Sequence, residues 1–119
     1  MKKNVALLTL QIAVAAVFVA AAVPKVAGVP MMVQMFDALG FGQWLRYFTA
    51  LLELGGAVLL LVPALAGISA LVLAIVMVGA ILAHTLVLGG SAVPAIVLLA
   101  ATLTIAWFRR AQTPAVVRV

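Results

Sequence analysis

The 119-residue chain contains no cysteine, one histidine and two acidic residues, Asp37 and Glu53. The absence of cysteine removes disulfides, thiolate nucleophiles, dithiol redox pairs and sulfur ligands for haem iron or iron–sulfur clusters. One imidazole and two carboxylates cannot by themselves enclose a metal ion, so no metal site is expected. Charged residues are equally scarce, at 8% of the chain, where a soluble domain averages about 25%. What fills the space is apolar: 69% of residues, with a mean hydropathy of +1.44. That composition rules out a water-soluble domain and predicts an integral membrane protein with membrane lipids as its surroundings. Seven basic residues give a formal net charge of +5. They gather mostly at the chain ends, with no basic face interleaved with aromatics, so nucleic acid is not an expected partner. An autonomous enzyme is not expected either. Ser69 and Ser91 read as residues of separate short loops, with no histidine and carboxylate arranged to activate them.

About 20 apolar residues are needed per membrane-spanning helix. The uncharged runs place spans at 5–23, 44–62, 67–88 and 92–108 in a single transmembrane domain. The first resembles a secretory signal, but its apolar core is longer than the usual stretch of about 7 to 15 residues, so it reads as an uncleaved helix. Pro24, Gly28 and Pro30 break the pattern after it. Met31, Met32, Met35, Phe36 and Leu39 then recur at helical spacing opposite Gln34 and Asp37, which predicts a short interfacial helix over 30–39. Pro63 follows the second span, and Pro94 is tolerated in the first turn of the fourth. The last two loops are short, so neighbouring helices must run antiparallel. The expected fold is all-α, an antiparallel four-helix membrane bundle. Lys2, Lys3, Arg109, Arg110 and Arg118 fall on one side, against Lys25 and Arg46 on the other. The excess of positive charge puts both termini in the cytoplasm of a multi-pass protein of the cell inner (plasma) membrane.

Glu53 falls midway between Trp44 and Val62, where an acidic group costs about 2.5 to 3.5 kcal/mol on insertion scales and usually faces the bundle interior. Ala50, Gly56 and Ala57 lie three or four positions away; together with Gly55, Gly79 and Ala80 they are the candidate helix-packing residues. Arg46 shares the Glu53 face, Lys25 ends the first span, and His84 lies near the same end of the third. Lys25, Arg46, Glu53 and His84 are therefore the candidates for ligand binding or proton relay, with a register-locking ion pair as the structural alternative. Gln11 is expected to bond across helices or within a dimer interface, whereas Thr102 and Thr104 can return their hydroxyls to their own helix. The methionines read as fillers of irregular space rather than copper ligands.

In these positions the chain resembles the DoxX-like family of small four-span membrane proteins. The resemblance rests on Pro-Lys-Val-Ala-Gly at 24–28, then Phe36, Leu39, Gly40 and Trp44. It continues through Glu-Leu-Gly-Gly at 53–56, Pro63, and Gly79, Ala80 and His84. It implies a fold more than a chemistry, because relatives range from quinone-reducing sulfur oxidation to oxidative-stress complexes and receptor assembly. The residues it carries over are Lys25, Glu53 and His84, with no reaction attached. The leading expectation is a subunit that binds a small quinone-like lipophile or takes part in redox chemistry. The chain supplies no flavin, haem or nucleotide motif, so no intrinsic cofactor is expected, the bound molecule would be a quinone or lipid, and electrons would come from a redox partner protein. A non-catalytic assembly scaffold is the alternative, and a proton-coupled solute transporter is a third reading that requires a homodimer.

Overall fold

The computed structural model describes residues 2–62 and 64–110, with side chains from residue 5 onward. Over these residues the chain is all-helical: α1 (Lys2–Ala27), α2 (Pro30–Leu39), α3 (Trp44–Leu59), α4 (Ala66–Ala83) and α5 (Val93–Arg109). A π-helical turn, His84–Leu88, continues α4. Two apolar segments are long enough to cross a membrane, Val5–Ala27 and Ala66–Leu88, each of 23 residues with mean hydropathies of 2.4 and 2.7. At about 1.5 Å per residue each measures about 34 Å, against about 30 Å of bilayer hydrocarbon. α5 and α3 are shorter, at 17 and 16 residues.

Element bounds differ from the sequence-based expectations where proline and the helix ends are concerned. α1 does not stop before Pro24 but continues to Ala27. Pro24 removes the N–H that the Ala20 carbonyl would accept, yet the next carbonyl, Ala21 O, takes Lys25 Nζ at 3.0 Å. Beyond it Gly28 N–H and Val29 N–H both close on Pro24 O at 3.1 Å. The stop comes at Gly28, whose φ of +72° only glycine adopts without strain. α3 ends at Leu59, short of the expected 62, and Ser69 belongs to α4 rather than to a loop. Pro63 and Arg118 lie outside the described residues. The expected third span ends in the π turn, where Gly89 N–H bonds His84 O at 2.9 Å. α2 coincides with the expected short helix, and Pro94 sits in the first turn of α5.

The core is shared by four long segments. Phe18 of α1, Leu60 just past α3, Leu73 of α4 and Ile105 of α5 are its largest fully buried apolar side chains. α1 packs on α3 and α5, α4 packs on α5 and α3, and α2 bridges α1, α3 and the π turn. Polarity is inverted relative to a soluble protein. Gln11, Arg46, Glu53, Ser69 and Thr102 are buried, while Leu51, Ile75 and Leu86 are 66%, 69% and 76% exposed.

Among the buried polar groups, Gln11 and Arg46 serve helix-end carbonyls, while Ser69 and Thr102 bond carbonyls within helices. Gln11 donates its amide to Leu60 O at 2.8 Å and accepts from Arg109 Nε at 2.7 Å, joining α1, α3 and α5. Ser69 donates to Gly56 O at 2.6 Å. Thr102 returns its hydroxyl to Leu98 O and Leu99 O, and Thr104 to Ala100 O. At the α3–α4 contact a Cβ on Gly56 would stand 2.6 Å from Leu73 Cδ2 and 2.8 Å from its Cγ, so the absence of a side chain there admits Leu73. Ala50 and Ala57 are buried on the same helix, and Ala80 of α4 packs at the core margin. Gly55 and Gly79 differ: a Cβ on either meets nothing within 4 Å, so neither is a point of close helix approach within the described chain.

These adjacent glycines give opposite predictions. Gly56→Ala drives a methyl into a fully buried leucine and is expected to lower stability by about 1–2 kcal/mol net of the helix-propensity gain. Gly55→Ala has open space and is expected to raise stability by up to about 1 kcal/mol. Thermal unfolding of the purified protein followed by circular dichroism checks both signs; equal effects would contradict the packing described. Gln11→Leu removes the donor to Leu60 O and the acceptor for Arg109 Nε, and the same measurement should show a loss of about 1–3 kcal/mol.

Candidate functional site

The site is built from the last turn of α1, the middle of α3 and the end of α4. Lys25 is the basic residue in the last turn of α1. Its Nζ, held by Ala21 O at 3.0 Å, turns inward and lies 2.9 Å from Glu53 Oε1. Glu53 is 2% exposed, sheltered as its central position in an apolar run predicts. Oε1 is sealed from solvent and takes its opposite charge from that ammonium.

The pair stands on the wall of a cavity of 460 Å³ between α2, α3 and α4. Its other polar linings are Thr49 and His84, and the rest of the wall is apolar. Met32, Met35, Phe36 and Leu39 of α2 face into it, so the amphipathic stripe of that helix forms one side. Met31, expected on the same stripe, is instead exposed. Phe48 on α3 and Ile75 on α4 also line it while remaining 48% and 69% exposed, so it opens sideways between these helices. That margin is apolar.

His84 reaches the cavity from the start of the π turn, a single wide turn of a kind frequent at functional sites. Its Nδ1 pairs with Gly89 O at 3.1 Å. A carbonyl oxygen only accepts, so Nδ1 carries the proton and, in the neutral ring, Nε2 is left as an acceptor.

Arg46, the fourth candidate, does not line the cavity. It is buried, and its guanidinium turns back to the loop between α1 and α2. Nη1 donates to Lys25 O, Nε donates to Gln43 Oε1 at 2.8 Å, and Cζ lies 4.3 Å from the Tyr47 ring centroid. Gln43 in turn donates to Val33 O at 3.0 Å. Arg46 therefore caps the carbonyl end of α1 and, through Gln43, ties α2 to α3. This supports Lys25 from its backbone side. Sharing a helix face with Glu53 was the sequence signal for Arg46, but a long side chain reaches the nearest unsatisfied carbonyl instead. Sequence reasoning missed Thr49 and the Gln43 strap. The i, i+4 spacing of Thr49 and Glu53 was the available signal for the first.

The cavity joins four polar residues, Lys25, Thr49, Glu53 and His84, to an otherwise apolar wall. Among the described residues no group of three or more histidine or carboxylate side chains could hold a metal ion. No curated protein and no solved structure matches the chain. The family profile described as the DoxX-like family does, over residues 9–109. Covering most of the chain, and including Lys25, Glu53 and His84, that match shows that the protein belongs to the DoxX-like family.

Proposed function

We propose that the protein is an antiparallel four-helix bundle of the inner membrane, in which α2 lies at the interface and the central cavity binds a quinone-like lipophile. The observation that carries this reading is the pair of half-buried Lys25 and buried Glu53 on the wall of a mostly apolar 460 Å³ cavity whose margin at Phe48 and Ile75 is itself apolar. Such a site takes a hydrocarbon body through the side and a polar head at the pair. The inverted polarity supports the bilayer setting: charges and amides inside, leucine and isoleucine outside. Gln11 beside Leu60 and Lys25 beside Glu53 run α1 and α3 in opposite directions, and Ser69 beside Gly56 does the same for α3 and α4.

Orientation follows from the charges left for the interface. Lys25 and Arg46 are both engaged within the fold, which leaves the basic ends of α1 and α5 as the strongly positive side and supports cytoplasmic termini. In redox chemistry the chain would act as the lipophile-holding subunit, with electrons supplied by a partner protein.

Two measurements test this. Lys25→Met and Glu53→Gln each leave one buried group without its partner and are expected to destabilise the protein, by about 3–5 kcal/mol for the lysine. The double variant Lys25→Met/Glu53→Leu should recover most of that loss while binding a decyl-substituted benzoquinone at least tenfold more weakly in calorimetry. Unchanged binding in a folded double variant would make the pair a structural lock only. Because the chain has no cysteine, an introduced one is unique. Ser91→Cys should react with a membrane-impermeant maleimide on intact cells, and Ala64→Cys only after permeabilisation; the reverse pattern would invert the topology.

A further inference from the structure

The inference rests on the lipophile-binding reading and concerns the charge of the head that the cavity takes. The ionisable side chains on its wall are Lys25, Glu53 and His84. Two of them cancel, because Lys25 Nζ lies 2.9 Å from Glu53 Oε1. His84 pairs Nδ1 with Gly89 O and in the neutral ring adds no charge. Arg46 is bonded away onto Lys25 O and Gln43 Oε1 and stays off the wall. The wall is therefore polar without net charge. Hydrogen bonding remains on offer, since an ammonium carries three hydrogens. Ala21 O takes one at 3.0 Å and Glu53 Oε1 stands against another, which leaves the third for an oxygen in the cavity. The Thr49 hydroxyl donates or accepts, and His84 Nε2 accepts.

An anionic head close enough to bond Nζ would also stand beside the carboxylate that already neutralises it. Attraction and repulsion largely offset at such similar distances, while the cost of stripping water from the anion remains in full. A cationic head fares no better, because Oε1 is sealed and Lys25 stands against it. An uncharged oxygen, of a carbonyl, an ester or a hydroxyl, takes the third hydrogen and brings no charge to bury. We infer that the cavity selects lipophiles whose head is uncharged and bears an oxygen acceptor, that it excludes single-chain anions such as fatty-acid carboxylates, and that Glu53 sets this selectivity. Glu53 acts through Lys25: without its charge, the ammonium becomes an anion site.

The test uses the full chain in phosphatidylcholine nanodiscs and two probes of equal chain length, methyl dodecanoate and the permanently ionised dodecane-1-sulfonate. Binding is measured by calorimetry and corrected for partition into protein-free discs. The ester is expected to bind the wild-type protein about tenfold tighter or more than the sulfonate. In Glu53→Gln the order should reverse, and the sulfonate should raise the thermal midpoint of the variant by replacing its missing counter-charge. Sulfonate binding as tight as ester binding in the wild-type protein would overturn the charge selection while leaving lipophile binding intact, and that comparison needs no variant. A folded Glu53→Gln protein that keeps the wild-type order would remove Glu53 as its origin. Saturable binding of neither probe, nor of the decyl-substituted benzoquinone, would overturn the lipophile reading itself.

Discussion

The burial of Glu53 against Lys25 is the constraint around which the rest of the structure is arranged. A carboxylate in an apolar interior is tolerable only with an opposite charge beside it, and removing either partner strands the other. To deliver that charge, α1 has to continue past Pro24 so that Lys25 stays helical, and Lys25 has to bend back to Ala21 O to aim its ammonium inward. Arg46 then secures the carbonyl end of the same turn, with Gln43 linking it to α2. A sequence of short-range contacts thus converts one acidic residue in an apolar run into a fixed geometry for three helices.

The same economy of polar groups governs the helix ends. In an apolar surrounding, carbonyls at the end of a helix cannot rely on water, so neighbouring helices supply the donors. Gln11 reaches Leu60 O and Arg46 reaches Lys25 O, while Ser69 adds a second donor to Gly56 O, which already accepts Leu60 N–H. These contacts are also interhelical ties, so satisfying the backbone and setting the register are one event. Glu53 Oε1 is matched differently, by the charge of Lys25 Nζ at 2.9 Å.

Much of this was legible in the sequence, and the remainder was not for physical reasons. A carboxylate amid apolar residues announces its own shelter, and the extent of α2 follows from a proline start and a glycine stop. Gln11 as a cross-helix bond and the threonines as self-bonded residues follow from side-chain length alone. Arg46 shares the Glu53 face yet bonds Lys25 O and Gln43 outside the cavity, because its position on α3 says nothing of which carbonyl a flexible guanidinium will find. Gly55 and Gly56 are indistinguishable as letters. They separate only because the crossing of α3 and α4 brings Leu73 to one and open space to the other.

The sequence by itself determined the helical class, the two apolar segments long enough to cross a membrane and the sheltering of Glu53, because hydrophobic runs and the cost of an isolated charge are properties of a single segment. The tertiary structure alone decided that Lys25, Thr49, Glu53 and His84 share one cavity while Arg46 does not. It also decided that α2 forms a wall of that cavity and that His84 is held through a π turn. These depend on how helices rotate about their axes against one another, and that rotation is set by packing between segments distant in the chain.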